Sequence, residues 1–214
     1  MLRGVLLSSI LKRCKLTMMK KLLAILILIF TFQTSSQAND IRDFQIEGMS
    51  IGDSLLDYFT KEKIENAYNY DDLPSDMKFR IIDITSSSFD LYNAVQFFYK
   101  LNDKNFIIFG IGGVIDYSKN INECYKKQLD IVKELSAIIA DAEFKGPNKS
   151  IHTDDKSGKS TYTSFYSDFK SGESVGIQCY DWSNESKFYD NLRISLHTKE
   201  TTNWIKSNYG VIGN

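Results

Sequence analysis

Histidine occurs twice in this 214-residue chain and cysteine three times, and each scarcity excludes a kind of chemistry. His152 and His197 are 45 residues apart with no cysteine beside them, so a metal centre finds no support. Three cysteines are too few for a disulfide-dense scaffold. Basic clusters are also missing, because lysines and carboxylates are interspersed, which disfavours nucleic acid or anionic lipid as partner. The longest apolar run, Leu22 to Phe32, is eleven residues and falls short of the ~20 that span a bilayer. No internal repeat or low-complexity tract is apparent.

That short run has a function of its own. Met19-Lys20-Lys21 gives it a cationic start, and Ser36 and Ala38 supply small residues after it, which together read as a secretory signal peptide cleaved after Ala38. Arg3, Lys12, Arg13 and Lys15 precede it, either as an extended n-region or as residues ahead of a true start at Met18 or Met19, and Cys14 has no lipid-attachment context. The alternative is an uncleaved N-terminal anchor. Cleavage leaves residues 39–214, the size of one domain, with no stable membrane anchor and a periplasmic or secreted location. It also leaves 20 basic against 27 acidic residues, a formal charge of −7. Two cysteines survive, Cys124 and Cys179, and in an oxidising compartment an even pair is expected to bridge. Closing a loop of that length is worth roughly 4 kcal/mol by chain entropy. Two separately buried thiols are the alternative.

Periodicity outlines the fold. Residues 44–47 alternate as a short strand, and Ile51, Leu55, Leu56, Phe59 and Ile64 recur at helical spacing, predicting a helix over about 51–67 capped by Ser50. Asn69 to Met77 reads as a loop. Strands are expected over 79–85, 94–101 and 106–117, the last two as a hairpin across Asn102-Asp103-Lys104-Asn105, with Gly110, Gly112 and Gly113 marking a bulge or bend. A second helix starts after Asn120 and stops before Gly146-Pro147, with Cys124, Gln128, Ile131 and Leu135 on one face. Strands follow over 160–169, 174–180 and 191–198, and Trp204 is placed on a short C-terminal helix. Val175, Ile177 and Cys179 share one side of their strand, so both sulfurs point into one helix-sheet seam. The expected class is α+β, an antiparallel sheet of five to six strands with two main helices on one face.

Several motifs imitate active sites. Gly52-Asp53-Ser54-Leu55 resembles the nucleophile block of the GDSL, or SGNH, esterases and thioesterases, which implies Ser54 as nucleophile and a base such as His197. The aspartate that family places three residues before its histidine is Ile194 here, and before His152 the position is Lys149. The match is judged coincidental, and no catalytic residue is assigned outside that alternative. Gly158-Lys159-Ser160-Thr161 resembles the end of a phosphate-binding loop but has Thr153 at the first glycine position, so Asp154 to Gly158 reads as a hairpin turn. Gly110-Ile111-Gly112 fails the dinucleotide fingerprint at Ile115. Calcium at Asp154 and Asp155 lacks the spaced ligand series. No metal and no cofactor is expected.

Aromatic residues are dense in 97–99, 162–166 and 180–182. Consecutive aromatics on a strand face both ways, so Phe98, Tyr166, Tyr180 and Trp182 are either edge packing or an exposed surface for a peptide, a glycan or an envelope protein. Over residues 44 to 205 the chain resembles a group of uncharacterised exported proteins from small-genome marine alphaproteobacteria. The resemblance rests on the segments 46–58, 124–128, 155–161 and 191–196. It implies an exported bacterial domain and no activity. The expected function is a non-enzymatic binding or structural role; the alternative is a serine hydrolase using Ser54.

Overall fold

The computed structural model describes residues 40–70, 78–118, 120–139 and 143–209, all within the compact unit Ala38–Asn214. The expected leader and cleavage site lie outside the described residues, as does most of the loop expected from Asn69 to Met77.

Eight strands form one antiparallel sheet: β1 (Tyr68–Asn69), β2 (Phe79–Ile84), β3 (Ala94–Lys100), β4 (Gly110–Asp116), β5 (Lys145–Ile151), β6 (Thr161–Asp168), β7 (Ser174–Asp181) and β8 (Asn191–His197). Their order is β1-β2-β3-β4-β8-β7-β6-β5. Two four-stranded meanders therefore meet at β4 and β8, and helix α2 (Ile121–Ile138) carries the chain from the centre to the far edge. Helix α1 (Lys61–Glu65) precedes β1, and helix α3 (Lys199–Tyr209) follows β8. The α+β class stands, but the expected count of five to six strands is too low. β1 is only two residues long, and β5 is a polar edge strand with no apolar alternation to announce it.

Alternation gives the sheet two unlike faces. The first carries Ile82, Phe97, Ile111, Leu196 and Val175, which follow one another across the registered strands. Two covers seal it. Residues 41–65 place Ile41, Met49, Leu55 and Ile64 over the β2–β4 half, each at most 1% exposed. α2 covers the other half, where Cys124 and Cys179 form a disulfide of 2.01 Å with Cα atoms 6.0 Å apart, beside buried Ile177 and Leu192. Gln128 of α2, 1% exposed, donates through Nε2 to the carbonyls of Thr163 (2.7 Å) and Ile177 (2.8 Å), pinning the helix to two strands.

Segment 51–67 is not one helix. Gly52 has φ +99°, Ser54 is extended, and only a 3-10 turn at Leu55–Asp57 and the short α1 form. The apolar spacing was real, but its side chains reach the core from a folded-back segment bridged to Ile107. The expected strand at 44–47 is a tight turn instead: Ile46 and Met49 exchange backbone bonds of 3.0 Å around Glu47 and Gly48, both at positive φ. Nor is there a bulge at Gly112 or Gly113, since β4 stays in continuous register with β3 and β8. Gly113 is there because a Cβ would sit 2.2 Å from the ring of Tyr92.

The second face carries α3. Trp204, 5% exposed, packs on Phe79, Ile81 and Phe98, which alternate with the first-face residues. The expectation of both main helices on one face is thus corrected: α2 and α3 lie on opposite faces. Glu200 anchors α3, accepting from Lys78 Nζ at 2.9 Å and Lys100 Nζ at 3.0 Å. These contacts, the Lys78 hydrogen bond first, hold its carboxyl below the usual range.

Candidate functional site on the second face

The rest of the second face is polar, and its centre is nearly bare of side chains. Gly112 of β4 pairs with Ser195 of β8, which pairs with Gly176 of β7, so three adjacent strands contribute a row of one serine and two glycines. Tyr166 of β6 closes that row, opposite Gly176. Asp83 and Gln96 continue it on the other side. Arg193, Gln178 and Ser164 form the next row, then Asn191, Tyr180 and Tyr162.

Arg193 leans across β4, its Cγ 3.8 Å from where a Gly112 Cβ would be. Its Nη1 donates to Gln96 Oε1 at 3.1 Å, and its guanidinium carbon lies 5.3 Å from the centre of the Tyr180 ring. Burial opposes this charge, but the neighbouring Tyr180, Tyr70 and Asp83 outweigh it and hold the group protonated. Tyr70 donates to Asp83 Oδ2 at 2.6 Å. No carboxylate of a described residue lies within 4.0 Å of Arg193.

Tyr180 and Trp182 stand together as parallel rings 6.1 Å apart, and Tyr162 stacks on Tyr180 at 5.8 Å. His152 packs against all three, 4.3 Å from Trp182, and Phe188 lies 4.6 Å from Trp182 on another side. Burial lowers the pKa of His152. These residues make a small aromatic core at one end of the face rather than a bare platform. Tyr166 is half-exposed with Lys145 Nζ 5.8 Å from its ring centre. Phe98 is on the same face but is only 6% exposed beneath α3, so it is core and no part of a free surface. The sequence reading missed Arg193 and Gln96. Arg193 carried a signal in the alternation of β8, where it faces away from Leu192 and Ile194.

The residues of the hydrolase alternative do not assemble. Ser54 Oγ donates to the Asn105 carbonyl at 2.6 Å and accepts from Leu56 N at 3.2 Å, the bonds of a turn cap. His197 lies on β8, 8% exposed, edge-on to Phe98 at 4.9 Å, with Nδ1 unpartnered. Burial, then the charge of Arg193, depress its pKa to about 4. A recess of about 270 Å³ between Gly52, Ile108, Glu173 and Lys199 does not include Ser54 in its walls.

Asp155 accounts for the two loop motifs. Its carboxylate accepts from Ser157 N (2.9 Å), Ser160 N (3.0 Å), Ser160 Oγ (2.5 Å) and Ser183 Oγ (2.9 Å), tying the β5–β6 turn to the loop after β7. The Ser160 bond leads the causes that keep this carboxyl far below its usual range. Among the described residues no group of three or more His, Cys, Asp or Glu is placed to hold a metal ion. No described helix is long and apolar enough to cross a membrane.

Comparison of the chain with protein-family models, with curated proteins and with solved structures returned no match.

Proposed function

We propose that the mature chain is an exported, non-enzymatic domain that binds its ligand or partner on the second face of the sheet. One observation supports this above the others. Of the seven buried side-chain polar atoms without a hydrogen bond among the described residues, Asp83 Oδ1, Asn191 Oδ1, Arg193 Nε and His197 Nδ1 belong to this face. Trp182 Nε1 and Trp204 Nε1 belong to side chains packed on it, which leaves only Asn69 Oδ1 elsewhere. Buried polar groups are ordinarily satisfied, and a concentration of exceptions on one surface marks a place that water or a ligand completes. The sealed first face offers nothing comparable. Export is supported by the leader and by a disulfide that would not persist in a reducing cytosol.

Two measurements test the reading. Protein isolated from the bacterial envelope is expected to begin at Asn39; retention of the leader removes the export half. Hydrogen exchange with panels of neutral sugars, short peptides and small organic acids is expected to show protection in β7, β8 and the segment around Trp182. Protection on the first face alone, or labelling of Ser54 by a fluorophosphonate, overturns the binding half.

A further inference from the structure

His197 stands inside a row of the second face that α3 roofs. Across β3, β4, β8 and β7 that row reads Phe98, Gly110, His197 and Ser174. α3 touches it on both sides of the imidazole: Trp204 packs on Phe98, and Thr202 Oγ1 lies 2.8 Å from Ser174 Oγ. His197 between them is 8% exposed. Its ring stands edge-on to Phe98, and Nδ1 lies 2.7 Å from where a Cβ on Gly110 would be, so the imidazole fits because that position is glycine.

The surroundings accept a neutral imidazole and resist a charged one. Nδ1 has no hydrogen-bond partner among the described residues, and protonation, which turns both ring nitrogens into donors, leaves it with nothing to donate to. No carboxylate of a described residue lies within 4.0 Å of the ring. The charged groups of the neighbouring elements are engaged elsewhere. Glu200 of α3 accepts from Lys78 and from Lys100 of β3, and Lys206 of α3 pairs with Asp168 of β6 at 2.9 Å. Asp83 of β2 accepts from Tyr70, and the stem of Lys199 lies 3.0 Å from where a Gly172 Cβ would be. β7 turns no charged side chain to this face, and β4 turns only Asp116 at its far end, where it accepts from Ser118 N. Arg193, two residues along β8, is a like charge that opposes protonation further.

α3 is also the lighter of the helical covers. α2 is held by a disulfide and by the two bonds of Gln128, whereas α3 rests on Trp204, on the hydroxyls of Thr201 and Thr202, and on ion pairs open to water. Elements held in this way open on their own before a core does.

We propose that α3 is an acid-sensitive lid, whose undocking is coupled to protonation of His197 and uncovers Phe79, Ile81 and Phe98. The lid goes beyond the binding reading and does not require the face to hold a ligand. Its direction follows from linkage. The covered ring titrates at about 4 against an ordinary 6.5, so between these values the open form binds more protons than the closed one. The closed form is fully favoured above pH 6.5 and loses ground as pH falls, the ratio of open to closed rising roughly twentyfold between pH 7 and pH 5.

The test is hydrogen exchange of the disulfide-bonded mature protein at pH 7 and pH 5, read as protection factors corrected for the intrinsic pH dependence of exchange. Amides of α3 are expected to be at least about tenfold less protected than those of β3 and α2 at both pH values, which is the mark of an opening separate from global unfolding. They are expected to lose a further factor of roughly twenty at pH 5. His197→Phe is expected to leave α3 protection the same at the two pH values within a few-fold. His197→Gln repeats the measurement with a smaller polar side chain, so that a packing fault in one variant does not decide the result. Equal protection of α3 and β3 means that the helix leaves only when the whole domain unfolds, and overturns the proposal. So does protection of α3 that does not change with pH in the parent, or a twentyfold loss that persists in either folded variant.

Discussion

The two faces of the sheet are written by alternate residues of the same strands, yet they solve different problems. On the first, Ile82, Phe97, Ile111 and Ile177 lie under two covers, and Gln128, buried beneath α2, arrives with its partners. A disulfide joins one cover to the strands. On the second, one helix covers the end near Phe79 and Phe98, while the centre keeps glycines, a cation with no carboxylate of a described residue within 4.0 Å, and orphaned nitrogens and oxygens. The first face has the character of a core, where packing and satisfied bonds supply stability. The second has room and unmet bonding capacity, which a core does not tolerate and a binding surface uses.

The largest test of this contrast falls on the disulfide. Replacing Cys124 and Cys179 together by alanine is expected to remove about 4 kcal/mol, the chain-entropy figure for a loop of this length. That lowers Tm by roughly 10 °C for a domain of this size. An unchanged Tm in a thermal melt would mean that the first face does not need its covalent clamp.

Next comes His197, the ionisable group buried on the second face with a pKa of about 4 against an ordinary 6.5. Between these values the unfolded chain binds more protons than the folded one. Stability is therefore complete above pH 6.5 and is lost as pH falls toward 4, by about 3 kcal/mol at most. Urea denaturation at a series of pH values measures it. His197→Phe is expected to flatten this part of the profile; an unchanged slope would place the titration on other groups.

A glycine pair sharpens the comparison within a single strand. Gly113→Ala on the first face drives a methyl into the Tyr92 ring and is expected to cost about 2 kcal/mol by overpacking. Gly112→Ala on the second meets nothing closer than 3.4 Å and is expected to be neutral or slightly stabilising, since alanine restricts the unfolded chain. Denaturation midpoints that reverse this order would deny that the second face has free space.

The smallest effect is assigned to Ser54. Its loss to alanine removes a turn cap worth about 1 kcal/mol and leaves fluorophosphonate labelling at background in both proteins. Labelling of the parent alone would return Ser54 to the role its motif suggests.

What was legible in the sequence divides along the same line. Six of the eight strands were placed within a few residues because each carries apolar or β-branched residues at period two, and α2 was placed because Cys124, Gln128 and Ile131 repeat at helical spacing. β5, with Lys145, Asn148 and Lys149, was missed because an exposed edge strand needs only a neighbour to bond to. The helix over 51–67 was misread because Gly52 and Ser54 break it locally while the apolar spacing continues across the break. The floor of the candidate site was illegible for another reason. Gly112, Gly176 and Ser195 come from three separate stretches, and only strand register sets them side by side.

Local chemistry, then, was enough to specify most of the elements, the pairing of Cys124 with Cys179 and the shared side of Val175, Ile177 and Cys179, because period, burial and thiol count act over a few residues at a time. The order of the strands decided everything about the second face: that Phe98 is covered and Tyr166 is not, that Arg193 crosses a glycine to reach Gln96, and that Gly112, Ser195 and Gly176 stand side by side. Contacts between residues eighty or a hundred positions apart leave no pattern in a single chain, since nothing in the spacing of either segment records which partner it will meet.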